Sequence, residues 1–369
     1  MKFIDLQTPL HHMEDQMMAR IKRVLAHGSF VMGPEIVELE TQLAQFVGVQ
    51  HALTASSGTD ALLIALMALE VGPGDEVITT PFSFFASAEV ILLLGATPIF
   101  VDIDPKTYNL DAQLLEAAIT PKTKAIMPVS LYGQCADYDA INAIASRHQI
   151  PVIEDAAQSF GATYRGKKSC ALTTIACTSF FPSKPLGCYG DGGACFTSDP
   201  VLAERMQQIR NHGQSERYVH TRLGLNGRMD TLQAAVLLEK MTLFPVEIAM
   251  RDKIAKRYAE QLPKEVIKPY IAPYNTSVFA QYTIQVTDRE RVRQALQQHG
   301  IPTAVHYQIG LHQQPIVQAA SSHPVSYPHT EAAAERVMSL PMHPYLTTQD
   351  QDKICELITV VLSDVAVAC

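Results

Sequence analysis

Short apolar runs alternate with amphipathic stretches between about residues 50 and 200. Runs rich in β-branched residues, which predict buried strands, lie at 52–55, 76–79, 97–101, 125–129 and 151–154, and a further pair lies at 173–180 and 193–197. Helical patterns between them lie at 60–69, 87–94, 111–119 and 138–147. This alternation predicts an α/β fold in which helices cover a mostly parallel sheet.

The order of the elements changes beyond residue 230. A long helical pattern begins at Thr231, is interrupted near Pro245 and resumes through Tyr258. After it come a predicted strand at 280–286, helices at 288–299 and 349–361, and a polar, proline-containing loop at 308–327. Because 369 residues exceed one ordinary hydrophobic core, we expect a large domain at 1–245 and a smaller C-terminal domain at 246–369.

Composition and charge narrow the class of protein. Hydrophobic residues make up 47% and charged residues 18%, close to the globular average. The excess of 37 acidic over 29 basic side chains gives a net charge of −8, which disfavours nucleic acid and anionic membrane surfaces as partners. No apolar run approaches the roughly 20 residues that span a bilayer, and no secretory signal opens the sequence. We therefore expect a soluble, cytoplasmic protein.

Seven cysteines are scattered along the chain, and none forms a C-x-x-C pair. An odd number at irregular spacing in a long chain is typical of free thiols in a reducing compartment. We therefore expect neither a disulfide framework nor a metal site.

The turn after the first predicted strand is a candidate anion site. Small polar residues at 56–60 open the next helix, where free backbone N–H groups and the helix dipole attract a phosphate. The hydroxyl of Thr59 can add a donor. The alternative is an ordinary helix N-cap that binds nothing.

Asp155 ends an apolar strand, and ligands of open α/β sheets lie beyond the carboxyl ends of the strands. A buried aspartate at this place could keep a pyridine nitrogen protonated and so make the ring an electron sink. The alternative is that Asp155 caps the following helix.

Lys184 stands between an apolar strand and a glycine-rich turn that continues to Gly193. Desolvation at such a place lowers the pKa of a lysine and makes its amine nucleophilic, as a Schiff base requires. Ser179, at the end of the preceding strand, could donate to a phosphate. The alternative is that Lys184 is an ordinary turn residue without a role in catalysis. Together, the three features indicate a phosphate-bearing aldehyde cofactor held over a sheet.

Two other glycine-rich segments do not match nucleotide-binding motifs. The segment 161–167 has the spacing of a P-loop, but Lys168 follows where Ser or Thr must meet magnesium, so we interpret it as a hairpin turn. The glycines at 187, 190, 192 and 193 do not match G-x-G-x-x-G and follow the lysine without opening a βαβ unit. A Rossmann dehydrogenase is therefore disfavoured.

The segments 58–61, 154–162 and 179–193 resemble the DegT/StrS class of sugar-nucleotide aminotransferases, and the likeness extends from 4–6 to 339–343. These are fold-type-I enzymes that depend on pyridoxal 5'-phosphate (PLP). The resemblance implies the aspartate-aminotransferase-like α/β fold, with a large, mostly parallel seven-stranded sheet domain and a smaller C-terminal α+β domain. It also implies a homodimer with two shared active sites.

The resemblance implies a role for each candidate residue. Lys184 would hold PLP as a Schiff base and, once released, move the proton between the substrate carbon and C4′ of the cofactor. Asp155 would pair with the pyridinium nitrogen, and Gln158 would lie near the phenolic oxygen. The other cofactor contacts would be Gly58, Thr59 and Ser179 on the phosphate, Asn226 on the phosphate of the neighbouring subunit, and Phe84 stacked on the ring. Relatives often carry Tyr at the position of Phe84, so we expect no hydroxyl contact from it here.

The likeness is greatest to bacterial members that aminate UDP-2-acetamido-2-deoxy-3-oxo-glucuronate for surface polysaccharides such as the lipopolysaccharide O-antigen. Arg228, His306 and Tyr307 match positions around the sugar carboxylate, for which a guanidinium is a natural bidentate partner. The alternative is a surface arginine beside a core His–Tyr pair. L-Glutamate would convert PLP to pyridoxamine phosphate (PMP) and leave as 2-oxoglutarate, and PMP would then aminate the C3 ketone of the UDP-sugar.

Other functions stay open at this point. An aminotransferase for a 4-keto-6-deoxy sugar nucleotide would have no carboxylate to bind, so Arg228 would matter little to it. The PLP-fold sugar dehydratases carry histidine at the position of Lys184. A non-catalytic sugar-nucleotide-binding or regulatory protein would keep the fold without the reaction, and an NAD-dependent sugar oxidoreductase would bind nicotinamide.

Overall fold

The computed structural model describes residues 1–320 and 325–366, which contain thirteen strands and twelve α-helices. The strands are β1 (His51–Ala55), β2 (Glu76–Thr79), β3 (Thr97–Phe100), β4 (Thr123–Ile126), β5 (Ile153–Asp155), β6 (Thr163–Tyr164), β7 (Lys167–Lys168), β8 (Ile175–Ser179), β9 (Gly193–Thr197), β10 (Gln214–Glu216), β11 (Val219–His220), β12 (Tyr282–Gln285) and β13 (Val337–Leu340). The helices are α1 (Thr8–His27), α2 (Pro34–Val47), α3 (Gly58–Ala68), α4 (Ala86–Leu93), α5 (Ala112–Leu115), α6 (Tyr138–His148), α7 (Pro200–Arg210), α8 (Thr231–Gln261), α9 (Arg289–Gln298), α10 (Pro315–Ala320), α11 (Pro328–Arg336) and α12 (Thr348–Ala366).

Seven strands form the central sheet. Four pair in the order β1–β9–β8–β5 and three in the order β3–β2–β4. Parallel bridges from Ile126 to Val152 and from Val129 to Asp155 join the two sets between β4 and β5. Within the sheet β9 alone runs against its neighbours, β1 and β8. The predicted mostly parallel, seven-stranded sheet is confirmed, and the carboxyl ends of its parallel strands meet at one edge.

Apolar side chains cover both faces of this sheet. Cys195 and Phe196 are neighbours on β9 and point to opposite faces, because strand side chains alternate. On the side of Cys195 lies a core that includes Ile64 of α3. On the other side Phe196 packs with Leu39 of α2 and with residues of α1 and α8. The sheet is therefore buried on both faces, as a parallel sheet requires.

The helix α8 corrects one prediction. It runs unbroken from Thr231 to Gln261 with Pro245 inside it, so the predicted interruption near Pro245 is wrong. Proline in a helix interior removes one hydrogen bond and costs about 3 kcal/mol. Burial of helix residues on both sides of the proline, such as Phe244 and Ile254, offsets that cost.

A separate core lies toward the C-terminus, where β12 pairs antiparallel with β13. Around this pair, α9, α12 and the end of α8 bury Ile284, Leu296 and Ile358 completely. We call β12, β13, α9 and α12 the C-terminal unit. The predicted strand and both predicted helices are present in it, with shifted ends. The division at residue 245 stays a proposal, since that position lies within α8.

Two smaller predictions have different outcomes. The segment 161–168 forms the hairpin β6–β7, as interpreted from its sequence. The predicted loop 308–327 is only partly irregular, because α10 and a 3₁₀ turn at Leu311–Gln313 lie within it. Residues 321–324 of that loop lie outside the described residues.

Six cysteines are buried free thiols, and Cys369 lies outside the described residues. In the described ranges no three His, Cys, Asp or Glu side chains come together in a way that could hold a metal ion. The helices of those same ranges include none with the length and apolar character to traverse a bilayer.

Candidate active site

Asp155 lies at the carboxyl edge of the sheet, as its place at the end of β5 predicts. The residue is only 4% exposed. Its carboxylate accepts hydrogen bonds from the Ser87 hydroxyl at 2.8 Å and from the backbone N–H of Ala157 at 3.2 Å. Burial raises the pKa of Asp155, while these hydrogen bonds and the charge of Lys184 oppose the rise. Asp155 is thus a buried carboxylate held by two donors.

Lys184 lies half-buried in the turn that follows β8. Its backbone N–H donates to the Phe181 carbonyl at 2.8 Å, which closes the turn beneath the side chain. Burial lowers the pKa of Lys184 to about 8, and the negative charge of Asp155 opposes this change. The structure therefore brings the predicted lysine and aspartate into one electrostatic site, and a large part of the amine is neutral near pH 8.

The predicted anion turn and Ser179 meet at one corner of this site. The helix α3 begins at Gly58, after Ser57 accepts a hydrogen bond from the Asp60 N–H at 3.0 Å. A Cβ atom on Gly58 would lie 2.6 Å from Cβ of Ser179. Only glycine allows this approach, which places the first turn of α3, with Thr59, against the end of β8. The three predicted phosphate residues of one subunit are therefore adjacent.

Gln158 and Tyr307 form the wall on the side of the C-terminal unit. The Gln158 amide donates to the Tyr307 hydroxyl at 3.1 Å and accepts from the Tyr132 N–H at 2.9 Å. Burial, together with the charge of Asp155, raises the pKa of the Tyr307 phenol well above its usual value. Tyr307 is therefore a neutral hydroxyl over the working pH range of an enzyme.

His306 lies beside Tyr307 with its Nδ1 atom 2.9 Å from the Ser339 hydroxyl of β13. Burial lowers the pKa of His306 to about 4, and the charge of Lys184 lowers it further. The imidazole is consequently neutral at physiological pH. The Tyr132 hydroxyl donates to the His306 carbonyl, so the same tyrosine contacts both Gln158 and this segment.

Asn226 and Arg228 lie beside the anion turn, on a segment that the Ser56 N–H holds by a 2.9 Å hydrogen bond to the Gly227 carbonyl. Asn226 is exposed. The Arg228 Nη1 atom donates to Asn211 at 2.6 Å, whereas its buried Nε atom has no partner among the described residues. These two side chains make no hydrogen bond to the Lys184 site within the described chain.

Phe84 follows β2 at the same edge of the sheet and is 58% exposed. Its ring is therefore free to meet a planar ligand. Sequence reasoning missed two residues of this edge, Ser87 and Tyr132. Both follow parallel strands, β2 and β4, so the rule that ligands lie beyond carboxyl ends could have indicated them.

Comparison with known proteins identifies the family. The profile of the DegT/DnrJ/EryC1/StrS aminotransferase family matches residues 11–359.

The chain belongs to this family.

Relatives within the DegT family agree along nearly the whole chain. The UDP-2-acetamido-2-deoxy-3-oxo-D-glucuronate aminotransferase of Pseudomonas aeruginosa is 58% identical over 359 residues, 97% of this chain and 99% of that one. The crystal structure of S. venezuelae DesV in complex with a ketimine intermediate has a TM-score of 0.95 and 37% identity, and covers 98% of both chains. NtdA from Bacillus subtilis, solved with bound PMP, has a TM-score of 0.91 and 33% identity, and covers 98% of this chain and 85% of that chain.

Membership of the DegT family confirms three predictions from the sequence. The fold is that of the PLP-dependent sugar aminotransferases. The protein is an enzyme, an aminotransferase, and its cofactor is PLP, with PMP as the second form. A non-catalytic binding protein and an NAD-dependent oxidoreductase are not favoured.

Proposed function

We propose that the enzyme transfers an amino group from L-glutamate to the C3 ketone of UDP-2-acetamido-2-deoxy-3-oxo-glucuronate, for surface polysaccharide synthesis in the cytoplasm. The observation that carries this proposal is the 58% identity, over 99% of its length, to the P. aeruginosa enzyme named for that substrate. Glutamate would leave as 2-oxoglutarate, and the product would be a 3-amino UDP-sugar.

The residues at the carboxyl edge fit PLP. The close approach of Gly58 to Ser179 places the first turn of α3 beside the end of β8, so a phosphate at this corner would lie at the N-terminus of the helix. A buried carboxylate, Asp155, suits a protonated pyridine nitrogen, and Lys184 supplies an amine of lowered pKa for the aldehyde. When bound, PLP supplies the electron sink, and the protein supplies orientation and charge.

Lys184 would act twice in this reaction. Its amine would first anchor the cofactor and, once free, would carry the proton to and from the reacting carbon. A pKa of about 8 suits both tasks, because the amine gains and loses a proton near neutral pH. Neutral His306 adds no charge to this site, and neutral Tyr307 offers a hydroxyl that orients Gln158.

Arg228 is our proposed partner of the sugar carboxylate. Its guanidinium already donates to Asn211 through one nitrogen, while the buried Nε atom has no acceptor among the described residues. A carboxylate that accepted from this nitrogen would satisfy a donor whose burial otherwise costs about 1–3 kcal/mol. His306 and Tyr307 would contact the substrate from the side of the C-terminal unit.

A homodimer with shared active sites is part of the proposal. Large apolar side chains are exposed near the segment that carries Asn226, namely Phe30 at 48%, Val31 at 52%, Tyr218 at 78%, Val219 at 48% and Leu223 at 87%. A backbone bridge from Val31 to Asp230 joins the segment that carries Phe30 to the segment that carries Asn226. Exposed apolar side chains concentrated in this way indicate a protein interface. From such a face Asn226 could reach the phosphate of the neighbouring subunit.

Mass spectrometry of the products tests the substrate. We expect the UDP-3-oxo-uronate and glutamate to yield the 3-amino sugar and 2-oxoglutarate. We expect Arg228→Ala to raise KM for this substrate about tenfold or more, as loss of a charged hydrogen bond does. The matched control is Arg291→Ala, which removes an exposed arginine from α9. No amination of the uronate, with turnover of a neutral 4-keto-6-deoxy sugar instead, would contradict the assignment.

Mixing two inactive variants tests the shared sites. Lys184→Ala lacks the amine, and Asn226→Ala lacks the contact proposed to reach across the dimer. Heterodimers contain one site with both native residues, so we expect the mixture to regain activity that neither variant has alone. If both residues served the same subunit, mixing would restore nothing.

A further inference from the structure

Lys240 is a buried lysine outside the site described above. The residue lies on α8 and is 6% exposed. Its ammonium donates to the Gly187 carbonyl and lies 5.2 Å from the centre of the Tyr189 ring. None of the ion pairs among the described residues includes Lys240. Lysine is almost never buried without such a partner, because the charge loses its hydration. Burial accordingly lowers the pKa of Lys240, which the charge of Glu247 opposes.

The carbonyl that Lys240 holds belongs to the turn that contains Lys184. Gly187 packs back on the start of this turn: a Cβ atom there would lie 2.5 Å from the Pro182 carbonyl oxygen and 2.7 Å from that of Phe181. The Phe181 carbonyl also accepts the hydrogen bond from the Lys184 N–H. The contact of Lys240 is therefore transmitted through Gly187 to the backbone that supports Lys184.

Lys240 is one of four polar residues on the same face of α8. Gln233, Lys240, Glu247 and Arg251 are spaced by seven, seven and four residues, which places them along one stripe of the helix.

The stripe contacts the lysine turn at one end and the C-terminal part of the chain at the other. The Gln233 side-chain oxygen accepts from the Tyr189 backbone N–H at 2.9 Å, and the Gln233 amide donates to the Tyr189 carbonyl at 3.2 Å. At the far end the Tyr345 hydroxyl donates to the Glu247 carboxylate at 2.9 Å. Arg251 donates to the carbonyls of Phe279 at 3.0 Å and Met342 at 3.3 Å. Helix α8 thus connects the lysine turn with the C-terminal part of the chain.

We propose that Lys240 is a positioning residue that keeps the turn 181–188 in one shape while Lys184 changes between its anchoring and proton-carrying states. This inference rests on the proposed role of Lys184. An amine that performs both tasks must return to the same place after each release, and small displacements of a reacting group cost large factors in rate. The ammonium of Lys240 supplies the hydrogen bond that holds the turn from behind, without contacting cofactor or substrate.

Lys240→Met tests this role, because methionine is an unbranched side chain one atom shorter than lysine and lacks the donor. We expect the single-turnover rate with glutamate to fall by about tenfold to a hundredfold, with KM for glutamate little changed. In the cofactor-free protein, the N–H groups of Lys184 and Cys188 should exchange with deuterium faster, since both donate within this turn. Lys253→Met, which removes an exposed lysine of α8, is the matched control.

Two further variants separate positioning from mere loss of stability. Lys240→Arg retains a donor toward Gly187 and should recover most of the rate. Lys240→Gln keeps a polar group but is one atom too short, so it should behave like Lys240→Met and decides the question should the methionine variant not fold. Native rates and native amide exchange in the folded Met or Gln variant would overturn the inference.

Borohydride reduction of the native holoenzyme distinguishes failure of the positioning role of Lys240 from failure of the proposed function. A reduced adduct on Lys184, combined with normal Lys240 variants, removes only the positioning role. An adduct elsewhere in the native enzyme removes the assignment of Lys184 and, with it, the basis of this inference.

Discussion

The Gln158 amide donates a hydrogen bond to the Tyr307 hydroxyl at 3.1 Å, although 149 positions separate them in sequence. Gln158 follows β5 of the central sheet, and Tyr307 belongs to the segment that Ser339 of β13 holds through His306. The pair therefore connects the cofactor edge of the sheet with the C-terminal unit. Gln158 is 3% exposed, so its amide has no access to water when the tyrosine is lost.

We expect Tyr307→Phe to lower the free energy of unfolding by about 1–3 kcal/mol, the usual cost of an unpaired buried donor. Denaturant unfolding of the cofactor-free protein measures this change. Tyr270→Phe removes a hydroxyl from a side chain that is 44% exposed and lies outside the proposed dimer face, and should have almost no effect. Equal stability of the two variants would show that the Gln158–Tyr307 bond contributes nothing.

Covalent attachment of PLP to the cofactor-free protein should depend on pH with a midpoint near 8, the pKa to which burial lowers Lys184. Attachment requires the neutral amine, so its rate rises with pH through this midpoint. Because the charge of Asp155 raises the pKa of Lys184, Asp155→Asn should move the midpoint to lower pH. Rapid-mixing absorbance measures both curves, with Lys184→Ala as the blank. A midpoint near the usual lysine value, or an upward shift in the Asn variant, would contradict this account.

Glu154 should make the stability of the fold depend on pH. The side chain is fully buried on the strand before Asp155, and its carboxylate accepts from Ser130, Ser169 and the Cys170 N–H. Burial raises its pKa from 4.5 to about 7 despite these bonds. Between these values the folded protein holds a proton that the unfolded chain has released, so stability falls as pH rises through this window.

Replacement by Gln removes this titration. We therefore expect the melting temperature of the native protein to fall between about pH 4.5 and pH 7, and that of Glu154→Gln to fall less. The difference between the two proteins should reach at most about 3 kcal/mol, the free energy of the pKa shift. Parallel profiles in calorimetry would show that Glu154 does not titrate in this range.

The sequence predicted the sheet well because each strand carries its own signal. The runs at 76–79 and 193–197 are confirmed as β2 and β9 without change, since short runs of apolar and β-branched residues between turn residues favour a strand. The predicted helix interruption at Pro245 is wrong because the local effect of proline is outweighed by the burial of Phe244 on the same helix, which the sequence does not reveal. The hydrophobic pattern does not predict α1 and α2, although Pro34 at the first position of α2 is a helix start signal.

The residues of the candidate site that directly follow strands could be predicted from the sequence. Asp155 and Lys184 were named from their places in the pattern, and the structure places them in one electrostatic site. Lys240 could not be found in this way, because a lysine within a helical pattern predicts a solvated surface charge. Its burial depends on how the turn after β8 folds back on α8, a tertiary relationship that has no local signal.

Gly58→Ala should weaken PLP binding without unfolding the protein. The new Cβ atom would lie 2.6 Å from Cβ of Ser179, so the first turn of α3 and the end of β8 must separate. Such overpacking costs about 1–3 kcal/mol. If this strain weakens phosphate binding by the same amount, Kd for PLP rises by about 5- to 150-fold. Fluorescence titration of the cofactor-free protein measures this change. Gly72→Ala is the matched control, because nothing lies within 4 Å of its added Cβ atom. Equal affinity in the two variants would mean that the corner formed by Gly58 and Ser179 does not hold the phosphate.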